Sequence, residues 1–286
     1  MRVLLTNDDG YYAPGLASLY EALCGMEAVE GVWVVAPKEV QSATSHAITL
    51  HRVIEVEGRG EPGGAGDRSQ ATGLNGVGRG KFRRGWAVDG RPADCVKLAL
   101  DPEAGLLDEP PDLVVSGTNA GANIGLNVLY SGTVGAAREA GFAGVPAIAV
   151  SQLLREWATS PWARSGEHAA AAIQQVLEHR GLTEWERGMV MNINLPALEE
   201  GGEPKGIVPA ELCMEHVAGV YTRERADGGA VALRPGSTLA YGELPAGTDA
   251  AELFAGWTTV TPLHFDLTHA GEVAAMRQAW GEAVSG

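Results

Sequence analysis

"MRVLLTNDDGYYAPG", residues Met1–Gly15, runs a short apolar segment straight into a doubly acidic turn. Val3, Leu4, Leu5 and Thr6 read as a buried strand, and Asp8 and Asp9 then stand side by side before a turn at Gly10. A helical stretch from Gly15 to Met26 and a second apolar strand from Val32 to Ala36 complete a β-α-β start. That order favours a parallel sheet with right-handed crossovers. Ligands of such sheets collect beyond the carboxyl ends of the strands, where Asn7, Asp8 and Asp9 lie. Adjacent carboxylates repel and shift each other's pKa unless a cation or strong donors sit between them.

The alternation continues along the chain. Trp86–Val88 leads into a helix near Ala93–Leu100, Leu113–Val115 and Ala147–Val150 read as buried strands, and Thr133–Ala140 reads as a helix between them. "EHAAAAIQQVLEHRG" is a strong helix ending at Gly181, and "MVMNINLP" is a strand closed by Pro196. Gly58–Gly80 has no apolar period and is expected to be an exposed loop or an elongated hairpin tip. Beyond Pro196, "GAVALRP" and "GWTTVTPL" sit between Gly and Pro and suggest hairpins rather than further βαβ units. The expected fold is α/β, a Rossmann-like doubly wound, mostly parallel sheet over residues 1–196. Residues 197–286 are expected to hold a β-hairpin-rich extension, a final core strand and a C-terminal helix near Val273–Val284, together suited to a subunit contact.

Bulk properties narrow the function. The 286 residues carry a formal net charge of -15, which argues against nucleic-acid backbone binding. Cys24, Cys95 and Cys213 are odd in number and far apart, so neither a disulfide framework nor a thiolate metal site is expected, and a reducing cytoplasm fits. No basic and apolar leader and no membrane-length apolar run are read. "GLNGVGRGKF" has Asn75 where a Walker loop needs its first Gly and Phe82 where it needs Ser or Thr. No HExxH, CxxC or GxSxG occurs, and no GxGxxG follows the first strand, so zincin, thiol-redox, α/β-hydrolase and dinucleotide readings lack their parts.

Three segments bear oxygen ligands at one sheet edge. Asp8 and Asp9 can converge on a hard cation such as Mg²⁺ or Mn²⁺, or can simply form a turn that caps the next helix. The loop after the second strand carries Gln41, Ser42, Thr44, Ser45 and His46, whose polar groups could serve a metal or a phosphate. The third segment, "VVSGTNAGANIGLNVLYSGTVGAAREA", brings Asn119, Asn123 and Asn127, and then Ser131, Gly132 and Thr133 at a helix start whose free N–H groups suit an anion.

Taken together, "LLTNDDGYYAPGL", "VVAPKEVQSATSHAIT", "GRPADCVKLAL", "PDLVVSGTNAGANIGLNVLYSGTVGAAREA", "NINLP" and "TVTPLHFDLT" resemble the survival protein E (SurE) family, in family order and over nearly the whole chain. The resemblance implies a cytoplasmic, metal-dependent 5′-nucleotidase acting on nucleoside 5′- and 3′-monophosphates, in some members also on short polyphosphate. It also implies a homodimer or homotetramer built through the C-terminal segment. Carried over by position, it implies one divalent metal ion (Mg²⁺ or Mn²⁺) per subunit on Asp8, Asp9, Ser42 and Asn119, with Asp8 or Asp9 as proton acceptor. Asn123, Ser131, Gly132 and Thr133 would then lie near the phosphate, with Arg91 and His46 as further substrate contacts. The chain departs from the family pattern at Arg91 for Thr, Thr118 for Ile or Val, Ser45 for Gly and Asn127 for Asp. A nucleotide-binding sensor that kept both sites but lost turnover is the alternative.

Overall fold

The computed structural model describes residues 1–62, 80–154, 161–197, 202–215, 221–224, 231–235 and 244–284. Their centre is a nine-stranded sheet. Its middle strands are β1 (Arg2–Thr6), β2 (Gly31–Pro37), β4 (Phe82–Val88), β5 (Leu113–Ala120), β6 (Ala147–Gln152) and β7 (Met189–Leu195). Ordered β4-β2-β1-β5-β6-β7, all six run parallel, so their carboxyl ends share one edge. The remaining members are β3 (Val56–Arg59), β8 (Ile207–Pro209) and β11 (Thr258–His264). β3 pairs antiparallel with β4 at one edge, and β11 pairs antiparallel with β7 and parallel with β8 at the other.

Helices α1 (Pro14–Gly25) and α4 (Trp162–Arg180) cover one face, and α2 (Pro92–Leu100) and α3 (Gly132–Ala143) cover the other. Strand periodicity makes this division. Val3, Leu5 and Val115 pack with Leu16 and Leu19 of α1 and Ile173 of α4. Leu4, Val114 and Ala149, one residue out of phase, pack with Val96 of α2 and Val134 and Ala137 of α3. Pro14 begins α1, where its missing N–H costs nothing, and Gly144 ends α3 at φ 82, a left-handed value that glycine adopts without a side-chain clash.

Beyond β7 the chain holds β9 (Tyr221–Glu224) and β10 (Ala232–Pro235), α5 (Asp249–Phe254) and α6 (Ala270–Val284). β9 and β10 form a separate antiparallel pair, so "GAVALRP" does supply a hairpin arm. "GWTTVTPL" instead supplies β11, the final core strand. Its Gly256 and Trp257 precede a strand buried alternately near its end, a pattern equally consistent with a hairpin arm; only pairing with β7 distinguishes the two. Of the Gly58–Gly80 stretch, the start belongs to the antiparallel pair of β3 with β4, and residues 63–79 lie outside the described residues. Among the described residues no helix is long and apolar enough to cross a membrane.

Candidate active site

The site assembles where β1 ends. Asn7 closes the turn with its own side chain: its Oδ1 accepts from Gly10 N at 3.2 Å and its Nδ2 donates to Gly10 O at 2.9 Å. This Asx arrangement sends the two following carboxylates to different neighbours. Thr133 donates to Asp8 twice, from Oγ1 to Oδ1 at 2.6 Å and from its backbone N to Oδ2 at 3.1 Å. Ala120 N donates to Asp9 Oδ2 at 2.9 Å, which fixes Asp9 beside Asn119 at the end of β5. Gln41 N donates to Asp8 O at 2.7 Å, drawing the loop that carries Ser42 onto the same turn. The segments holding Asp8, Asp9, Ser42 and Asn119 are therefore tied to one turn, one by a backbone bond and one through the Asp9 carboxylate.

Gly132 shows how closely they meet. A Cβ there would sit 2.9 Å from Asp8 Cβ and Oδ2 and 3.0 Å from Thr44 Oγ1. Only a residue without a side chain lets the start of α3 approach the carboxylate and the loop together. Asn119 Nδ2 donates to Gly121 O at 2.7 Å, which turns its Oδ1 into the atom left for a ligand. Ser42 is exposed on the loop surface.

The electrostatics are those of an uncompensated pair. Asp8 is 4% exposed, and burial together with the neighbouring Asp9 charge pushes its pKa up to about 7 against the donors of Thr133. Burial raises Asp9 as well, with the Ala120 amide opposing. Among the described residues, no basic side chain is among the groups acting on either carboxyl. Two adjacent carboxylates with no positive partner among the described residues are oxygen donors of the kind that a hard divalent cation prefers.

The other expected contacts are distributed unevenly. Ser131 caps α3, its Oγ accepting from Val134 N at 3.1 Å, while the Thr133 amide is taken by Asp8. Of the Ser131–Thr133 amides expected to cradle an anion, that of Thr133 is thus engaged internally. Asn123 lies in a buried amide network: its N donates to Asn194 Oδ1 at 2.8 Å, its Nδ2 to Ser151 Oγ at 2.8 Å, and its carbonyl accepts from Asn192 and Asn194. It braces the loop between β5 and α3 against β6 and β7. His46 packs along α3, Nε2 at 2.7 Å from Glu139 Oε2 and Nδ1 accepting from Arg138 Nε at 2.9 Å. Glu139 lies six residues beyond Thr133, about 9 Å along the helix at 1.5 Å per residue, so the imidazole is directed away from Asp8. Arg91 caps α2 and lines a cleft of ≈ 370 Å³ with Gln41, Thr49 and Arg52.

Ser45 has φ 56, a left-handed value that explains why a glycine suits this position, and its Oγ donates to Leu129 O at 2.6 Å. Asp94 was not legible as a site-building residue. Buried in the first turn of α2, it accepts from Arg91 N at 2.9 Å and from Thr49 N at 2.9 and 3.1 Å, clamping the far end of the Ser42 loop. An acidic residue two positions after Pro92 is a helix-start signal, but its reach to Thr49 is long-range. Asp249 does the same for the loop before α3, accepting from Gly125 N and Cys213 N, each at 2.9 Å.

Comparison with known proteins places this geometry in context. Residues 3–218 match the family model for "Survival protein SurE". A "5'-nucleotidase SurE" of Carboxydothermus hydrogenoformans is 39% identical over 290 residues, covering 100% of this chain and 98% of that protein. Another of that name from Heliobacterium modesticaldum is 36% identical, covering 94% of this chain and 88% of its own length. The crystal structure of the SurE protein from Aquifex aeolicus superposes with a TM-score of 0.73 at 28% identity, covering 98% of this chain and 99% of that one. With the family model spanning both aspartates, the Ser42 loop and the start of α3, the chain belongs to the SurE family.

Proposed function

We propose that this protein is a metal-dependent phosphomonoesterase, a 5′-nucleotidase that hydrolyses nucleoside 5′-monophosphates to nucleoside and phosphate. The observation that carries this reading is the pair Asp8–Asp9 at the carboxyl edge of β1, Asp8 buried and Asp9 half-buried, with no basic side chain among the described residues acting on either. The full-length relatives named 5'-nucleotidase SurE support it.

One divalent ion, Mg²⁺ or Mn²⁺, would be held by Asp8, Asp9, Ser42 and Asn119, and when bound it supplies Lewis acidity toward phosphoryl oxygens and water. The chain's own groups do the rest. Thr133 holds Asp8 through two donors, so the carboxylate is oriented before substrate arrives. Gly132 N and the Ser131 cap position the phosphate at the positive end of α3. Asp9 has one oxygen bonded to Ala120 N and keeps the other for accepting a proton from the attacking water. Asn123 acts by holding the loop rather than by touching substrate. Arg91, in the wall of a neighbouring cleft with Gln41, is a further substrate contact.

Exposed Tyr221 and Leu233 on the hairpin, and exposed Met276 and Trp280 on α6, support association of two or four copies through the C-terminal segment. Buried, unpaired Cys24, Cys95 and Cys213 are consistent with a reducing cytoplasm. Phosphate release from 5′- and 3′-monophosphates and short polyphosphate, with Mn²⁺ or Mg²⁺ and then excess chelator, tests the activity. Asp8→Asn and Asp9→Asn should each abolish metal-dependent release with the fold intact, and Ser42→Ala should cost less because water can replace one neutral ligand. Turnover that persists in chelator, or tight nucleotide binding without turnover, would overturn the reading.

A further inference from the structure

Asp9 faces two directions. One oxygen is tied to β5, and the residue also forms part of the wall of a second cleft, of ≈ 390 Å³, with Tyr12, Lys38, Glu39, Val40 and Arg59. That volume lies within the range of about 300–1,000 Å³ usual for small-molecule pockets. The cleft adjoins the carboxylate pair, Asp9 being one of its lining residues. A group attached to a phosphate bound at Asp8 and Asp9 can therefore extend into it.

Its most distinctive wall is Tyr12. The ring is 49% exposed although the residue before it, Tyr11, is buried. The two rings meet edge to face, 5.5 Å between centroids at 76°. Tyr11 is in turn immobile: its hydroxyl donates to Gly60 O at 2.7 Å, and its backbone N donates to Pro37 O at 2.8 Å. Gly85 is required for this, since a Cβ there would overlap the Tyr11 hydroxyl at 1.9 Å. An aromatic ring half exposed to water, braced by a buried one and placed beside a catalytic carboxylate, is a stacking platform in search of a flat partner.

Charge decides which kind of partner. Lys38 Nζ donates to Glu57 Oε1 at 2.5 Å, and Arg59 donates to the same carboxylate through Nη2. Glu57, Asp9 and Glu39 set three carboxyl groups against the two cations, so the cleft gives no net attraction for a second anion. A neutral planar group fits it better. Among the described residues, the Arg91 cleft has no aromatic ring on its walls.

We propose that Tyr12 is a specificity-determining residue on which the nucleobase of the substrate stacks, in the cleft between the turn after β1 and the Lys38–Arg59 edge. The proposal rests on the phosphomonoesterase reading and deepens it by naming where the base goes. A base stacks on an aromatic side chain through its π-face whatever its identity, so removing the ring should weaken base-bearing ligands roughly tenfold.

The test compares wild type, Tyr12→Ala and Tyr12→Phe on adenosine 5′-monophosphate and on ribose 5-phosphate, the same ester without a base. Steady-state phosphate release with Mn²⁺ is measured alongside calorimetric binding of both compounds. Tyr12→Ala should raise KM and Kd for the nucleotide about tenfold and leave ribose 5-phosphate within about twofold, with Tyr12→Phe close to wild type. An equal change for both compounds, or none for either, overturns the stacking role. Wild type that releases phosphate from neither compound refutes the phosphatase reading alone, because the binding arm still compares base-bearing and base-free ligands.

Discussion

Asp8 should make the metal-free protein lose stability as pH rises, and a bound cation should reverse that trend. Lifting its carboxyl from 3.8 to about 7 in the folded state costs the anion about 4 kcal/mol at ~1.36 kcal/mol per pH unit. A raised folded-state pKa means that the contribution is fully favourable below the unfolded value and is lost as pH climbs through about 7. Between pH 5 and pH 8 the loss is about 2.5 kcal/mol, a fall in Tm of roughly 5–10 °C for a chain of this size. Burial at 4% exposure leaves little solvent screening to reduce it. Asp8→Asn removes the charge while keeping an oxygen for the Thr133 amide, and the Thr133 hydroxyl can rotate to accept from the new amide. The variant should therefore be more stable than wild type at pH 8 without metal, with a flatter pH profile. Glu21, raised to about 7 by burial, slopes the same way in both proteins and cancels in the difference. Mn²⁺ at one hundred times its Kd should add about 2.7 kcal/mol to wild type and nothing comparable to the variant. Thermal unfolding from pH 5 to pH 8, with chelator and with Mn²⁺, reads all of this. Identical pH slopes for the two proteins, or equal stabilisation by Mn²⁺, would refute the reasoning.

Two further substitutions probe how the segments are held. Gly132→Ala sets a methyl 2.9 Å from Asp8 and should weaken Mn²⁺ binding and phosphate release at least tenfold, with a smaller effect on Tm, since the clash falls on the carboxylate; calorimetry with Mn²⁺ checks it. Asp94→Ala leaves the Thr49 and Arg91 amides without their acceptor and should cost about 2–3 kcal/mol by denaturant unfolding, with faster hydrogen exchange at Thr49.

The sheet and both layers of helices could be read from the sequence because they rest on local patterns. Val3–Thr6, Val32–Ala36 and Ala147–Val150 are apolar runs that no other element explains, and Gly144 and Gly181 end helices where a left-handed residue is needed. The Asp8–Asp9 pair was equally visible, since two adjacent acids after a strand require a physical reason. Less visible was everything that depends on a distant partner. Asn123 and His46 have residue types that suit chemistry, yet Asn192, Asn194 and Ser151 claim the first and Arg138 and Glu139 the second. The start of α3 looked like an open anion cradle because nothing nearby in sequence shows that Asp8, 125 residues away, already occupies the Thr133 amide. β5 runs on to Ala120 through Gly117, beyond the apolar run Leu113–Val115, with an irregular register between Ser116 and Asn119 that no local pattern announces. Tyr12 carries no local signal, and its exposure and its brace on Tyr11 exist only in the folded chain.

The most direct measurement is diffraction at the manganese absorption edge from crystals grown with Mn²⁺. One anomalous peak per subunit should lie among the side-chain oxygens of Asp8, Asp9, Ser42 and Asn119, and should vanish in Asp8→Asn. A peak elsewhere, or none from crystals of protein that turns over nucleotide in the same Mn²⁺ solution, would show that the carboxylate pair is held by something other than a cation.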